Sequence, residues 1–99
     1  MPFANRDTVT LLANGTATGA NVAWNGGAGM FSAEAGSWNT TAVATLQVLT
    51  ANGTFCNVGA SCNFGANGVG GFVLPAGTIR VLVSGNVPAN LSSYASGMN

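Results

Sequence analysis

Few residues in this chain can act as acids, bases, nucleophiles or metal ligands. Its 99 residues include two Lys+Arg, two Asp+Glu and no His. The charged residues are Arg6, Asp7, Glu34 and Arg80, and the thiols are Cys56 and Cys62. Without histidine there is no Ser-His-Asp or Cys-His arrangement and no imidazole metal ligand. Without lysine there is no Schiff-base chemistry. Asp7 and Glu34 have the residue types of a glycosidase pair, but they fall in separate strand-like segments with no supporting motif. Both read as solvated or ion-paired carboxylates. A calcium site needs several carboxylates in one loop, and no loop here supplies them. The sequence therefore predicts no catalytic residues, no metal and no cofactor, and the chain is read as a non-enzyme.

The stretch FCNVGASCNF spaces Cys56 and Cys62 too widely for a redox CxxC, and two sulfurs make no zinc site. Two main readings stay open, with a catalytic thiol as the remaining alternative: a disulfide closing a short loop, with modest entropic effect, or two reduced, half-buried thiols. Asn14, Asn39, Asn52 and Asn90 each begin an N-x-[ST] triplet. In a chain so rich in Asn and Thr such matches arise by chance.

The scarcity of charge excludes whole classes of partner. Charged residues make up 4% of the chain, against about 25% in an average soluble domain. Two arginines cannot neutralise a run of phosphates, so no nucleic-acid partner is expected. Polybasic attachment to a membrane fails for the same reason. No stretch of 18 apolar residues and no basic leader with an apolar core is present. The expectation is a chain that folds in the cytoplasm where it is made, with no membrane partner. A surface with so little charge has little electrostatic protection against association, which suits a protein that works packed against others.

The elements that must position these residues read as strands. Gly, Asn and Thr recur every few residues and no window keeps a 3.6-residue period. Short β-branched runs at 7–12, 19–24, 29–35, 42–49, 53–58, 70–74 and 78–84, with a weaker one at 93–96, predict strands. The ANGT segments at 13–16 and 51–54 predict type I′ hairpin turns, and NGGAG (25–29) and ANGVGG (66–71) predict flexible ones. Pro75 and Pro88 mark strand ends. About seven or eight short strands in one domain over 1–99 give the predicted class: all-β, a small antiparallel β-sandwich or jelly-roll-like barrel.

Within 78–84, Ile79, Val81 and Val83 alternate with Thr78, Arg80, Leu82 and Ser84. The first set is expected to face the core, leaving Arg80 on a partly apolar outer face. The aromatics Trp24, Phe31, Trp38, Phe55, Phe64, Phe72 and Tyr94 exceed what so small a core holds. Trp38, in the loop-like GSWNTT, is the expected exposed contact residue. Arg80, Glu34 and Trp38 are the candidate interface residues. Two readings of Arg80 stay open: a contact anchor, to a partner or to a sibling copy where Glu34 or Asp7 would receive it, or an exposed arginine contributing under about 1 kcal/mol.

The runs GSWNTTAVATLQVLTANGTFCNVG (36–59), FVLPAGTIRVLVSG (72–85) and SSYASGMN (92–99) resemble small virion proteins of tailed bacteriophages. The matching residues are Leu46, Gln47, Gly53, Thr54, Phe55, Pro75, Ala76, Gly77, Ile79, Arg80, Gly85 and Tyr94, with PAG-x-[IL]-R the distinctive part. The cysteine pair departs from the pattern. The resemblance implies a head-decoration (cement) protein: non-enzymatic, present in many copies, bound to the major capsid protein on the outer capsid surface of the virion, and a homo-oligomer, with a trimer favoured. The rival expectation is a carbohydrate-binding or host-adhesion module of a phage fibre.

Overall fold

A computed structural model describes residues 8–97. Among them are nine strands: β1 (Thr8–Gly15), β2 (Val22–Trp24), β3 (Gly27–Glu34), β4 (Val43–Leu49), β5 (Phe55–Asn57), β6 (Asn63–Phe64), β7 (Gly68–Leu74), β8 (Gly77–Ser84) and β9 (Leu91–Gly97). One 3-10 turn, Ala60–Cys62, precedes β6. All named pairings are antiparallel. The first sheet runs β1-β9-β3-β7, and the second runs β2-β8-β4-β5 with β6 also on β4.

The pairing follows one rule. Treating β5 and β6 as one broken strand on β4 leaves eight strands. The first then pairs with the last, the second with the second-last, and so on to β4 with its own successor. A long hairpin rolled up so that β9 also meets β3, and β8 also meets β4, gives two packed sheets. This is the jelly-roll form of the β-sandwich, the class expected from the strand spacing.

The roll is made at a double corner. Trp24 pairs with Gly77 in the second sheet, and Gly27 pairs with Leu74 in the first. The two-stranded ribbon thus passes from one sheet to the other between these pairs. Gly26 (φ 94°) and Gly27 (φ 100°) supply the backbone that the bend needs, and Pro75 ends β7 on the facing strand. A Cβ on Gly26 would lie 2.9 Å from the Ala76 nitrogen, so the two corners touch. Beneath them Trp24 packs on Phe72 with ring centroids 5.0 Å apart. The Trp24 Nε1–H is buried without an acceptor, a cost the packing of the ring must outweigh.

Strand alternation builds the core. Ile79 and Val81 are buried as expected, and Val83 packs at its margin. Leu46 lies beside them on the neighbouring strand β4, Phe31, Leu91 and Ala95 meet them from the facing sheet, and Phe31 stacks on Phe64 at 5.9 Å. Each fully buried Leu, Ile or Phe contributes about 1.5–3 kcal/mol from removal of apolar surface from water.

Three local expectations are corrected. Asn14 and Gly15 do not make a hairpin turn: β1 and β2 belong to different sheets, and these residues form the bulged end of β1. ANGT at 51–54 does turn a hairpin, β4 to β5, but only Gly53 of this loop has positive φ (81°). Gly53 N–H donates to the Thr50 carbonyl, so the turn is type I followed by a left-handed glycine rather than type I′. The weak 93–96 segment is a full interior strand, β9. Its serines hid it, but Ser93 is buried with its hydroxyl donating to the Ser32 carbonyl at 2.8 Å.

Candidate interaction surface

The outer face of the second sheet carries Arg80. In register, Arg80 (β8) stands opposite Gln47 (β4), and Gln47 opposite Asn57 (β5). Arg80 Nε donates to Gln47 Oε1 at 2.9 Å, and Gln47 Nε2 donates to Asn57 Oδ1 at 2.9 Å. The guanidinium carbon sits 4.0 Å from the centroid of the Phe55 ring on β5. The arginine side chain therefore lies across β4. That explains why Gln47, on the outer face, is only 7% exposed. The stem covers the amide while the head group stays half exposed.

This arrangement fixes a cation. The cation–π contact holds the guanidinium plane, and the glutamine holds Nε. The four N–H donors on the two Nη atoms have no partner among the described residues. The same face is partly apolar: Leu82 on β8, Val43 and Leu49 on β4 and Phe55 on β5 share it with Thr78, Thr45 and Asn63. The sequence placed Arg80 on this face. It gave no sign that Gln47 and Asn57 support it, because that line of contacts exists only through strand register.

The other candidate residues lie elsewhere. Glu34 ends β3 in the first sheet, exposed and opposite Ser92. Its sheet's outer face also presents Val69, Val73 and Tyr94. Asp7 lies outside the described residues. Trp38 is not the exposed anchor expected from its loop: it is half-buried and packs against the core. Its Nε1 donates to Asn67 Oδ1 at 2.9 Å, and the same oxygen accepts from the Ala35 N–H at 3.0 Å. The tryptophan thus ties two loops together, leaving Tyr94 as the exposed aromatic among the described residues.

Cys56 and Cys62 are free thiols, so of the two open readings the structure takes the reduced one, though not with two half-buried groups. Cys56 is exposed on β5. Cys62 is in the core, with its Sγ donating to the Gly71 carbonyl at 3.7 Å. Burial pushes its thiol above the ordinary 9.0, opposed by a hydrogen bond with Ser61. Among the described residues no three His, Cys, Asp or Glu gather as a metal cluster, and no pocket opens. Among the described residues no helix is long and apolar enough to cross a membrane.

No protein-family model matches the chain, and no curated protein matches it in sequence. Its fold is similar to that of the SPBc2 prophage-derived protein YomS, known from a crystal structure. The TM-score is 0.79 over 100% of this chain and 97% of that one, at 10% sequence identity. The likeness is one of fold. The architecture it supports is a small jelly-roll sandwich, a form also found in a prophage-derived protein.

Proposed function

We propose that this protein is a non-enzymatic structural component of a tailed-phage virion. It is a decoration (cement) protein that binds the major capsid protein on the outer surface of the shell as a homo-oligomer, with a trimer favoured. The observation that carries the reading is the outer face of the second sheet, where one immobilised guanidinium stands in an otherwise uncharged, partly apolar surface. Such a face suits burial against another protein surface in a repeated assembly, whether of the shell or of a sibling copy. Neutral groups shed water at low cost, and a single fixed charge sets register. Repetition over a lattice multiplies modest contacts into high occupancy. The PAG-x-[IL]-R resemblance and the prophage origin of a protein with the same fold agree with this reading.

Jelly rolls also serve as lectin domains, and fold alone does not separate the two uses. A fibre module that stacks sugars asks for a solvent-facing aromatic pair, whereas Tyr94 is the exposed aromatic among the described residues. We therefore rank adhesion second.

The test is to add purified protein to expanded capsids and follow the temperature at which they rupture. Reinforcement predicts a rise that saturates with occupancy, and cryo-electron microscopy of the particles should show many copies on the outer shell. Saturated binding without a shift excludes reinforcement. Density confined to a tail or fibre favours the adhesion module.

A further inference from the structure

The ionised side chains of the described residues, Arg80 and Glu34, are not used on each other within the chain. Arg80 is immobilised with its Nη donors free, and the Glu34 carboxylate is exposed and has no hydrogen-bonding partner among the described residues. They stand on the outer faces of opposite sheets, with the hydrophobic core between them. No rotamer change in one folded copy brings them together.

We infer that they meet between copies: the Glu34 carboxylate of one copy seats on the two Nη groups of Arg80 of the next. The outer face of the first sheet then lies against the outer face of the second. This supplies the subunit contact for the homo-oligomer of the proposed function, and it can be tested without a capsid.

Three features favour a second copy as the occupant. First, the site is built for a planar two-oxygen acceptor. Arginine's terminal nitrogens present parallel N–H groups that match a carboxylate. Here the cost of ordering the side chain is already met by Phe55, Gln47 and Asn57. Second, the complementary charge is carried by this same chain, on the face that such stacking presents, and the formal net charge of 0 leaves no excess of either sign. Third, both faces carry apolar groups able to exclude water from the pair: Leu82, Val43 and Leu49 on one, Val69, Val73 and Tyr94 on the other. Exposed ion pairs contribute little, but one enclosed by an interface fixes register and partner choice. The contact is heterologous, using each face once per copy. Because the two faces lie on opposite sides of the sandwich, the contact stacks copies in line, and it closes into a ring only where the rotation between copies permits.

Sedimentation equilibrium and light scattering on the purified full chain decide the matter. The wild type should self-associate, less so at high salt. Arg80→Glu and Glu34→Arg should each weaken association by at least about tenfold, and the double reversal Arg80→Glu/Glu34→Arg should restore it. Far-ultraviolet circular dichroism unchanged in all three, and a cooperative melt kept by each at a dilution where the wild type is monomeric, separate lost contact from lost fold. A monomeric wild type at high concentration overturns the inference. So does association indifferent to either reversal, or a double variant that stays dissociated. Dissociation by Asp7→Arg but not by Glu34→Arg would move the carboxylate to the N-terminal segment and also overturn it. If the wild type is monomeric and Arg80→Glu abolishes capsid binding, the carboxylate belongs to the shell. Self-association that passes every arm while capsids are not reinforced leaves this contact standing and removes the cement reading.

Discussion

Gln47 occupies an outward strand position yet is 7% exposed, because the Arg80 side chain crosses it and its amide bonds to both Arg80 and Asn57. Gln47→Ala removes both bonds and lets the guanidinium swing. The expected loss is about 1–2 kcal/mol, since half-exposed Arg80 and exposed Asn57 recover part of their bonding from water. Urea unfolding measures it, and a loss near zero would mean that Phe55 alone holds Arg80. The thiols give a second residue-scale expectation. Native protein should react with one equivalent of a thiol reagent, at Cys56, and unfolded protein with two, because Cys62 is enclosed. The Cys62 thiol has a folded pKa above its ordinary 9.0, so the folded state holds its proton more tightly than the unfolded chain. Its stabilising contribution is therefore complete below pH 9.0 and declines as pH rises from there through the folded value. Stability measured across that window should fall more steeply in wild type than in Cys62→Ala.

The vulnerable elements are the sheet edges. β7 pairs only with β3, and its other side would be a free row of backbone groups. The 3-10 turn Ala60–Cys62 covers part of it: Ser61 Oγ and Cys62 Sγ both donate to the Gly71 carbonyl, at 3.3 and 3.7 Å. The approach depends on Gly70, where an added Cβ would lie 1.6 Å from the Ser61 carbonyl oxygen. Gly70→Ala must push the turn off the edge. It should cost about 1–3 kcal/mol by overpacking and leave a protein that aggregates on heating, read by melting temperature and light scattering together. A stable, non-aggregating variant would show that the turn is not what guards β7. The other edges are guarded differently. β2 and β5 are short, and β1 is interrupted by two register shifts.

At the scale of the whole molecule, the stability of the isolated chain and its assembly are linked. An oligomer that binds only folded copies gains stability with concentration. The melting temperature of the wild type should therefore rise over a hundredfold increase in protein concentration, and that of Arg80→Glu should not. Parallel melting in both would separate folding from assembly and argue for a monomer that works alone. Formal neutrality makes such association electrostatically cheap, and it also limits the solubility of any copy whose faces stay uncovered.

The period-two runs and turn residues carried most of the fold by themselves. β3, β4, β7 and β8 lie within a few residues of their expected spans, because a strand with one buried face writes that face into every second residue. Ile79 and Val81 inward and Arg80 outward followed from the same alternation. The two-residue β6 and the serine-rich β9 were less legible, since pairing partners rather than composition make them strands. The sequence also showed which chemistry was missing, because an inventory without His or Lys needs no coordinates. Tertiary structure decided everything that depends on who stands beside whom. It turned Trp38 inward onto Asn67, left Cys56 and Cys62 as separate free thiols, put Glu34 and Arg80 on opposite faces, and laid Arg80 over Gln47 towards Phe55. Apart from the β4–β5 turn and the nearby β6, these sheets pair strands distant in sequence. Register between such strands is set by the packing of the whole sandwich, and no local pattern encodes it.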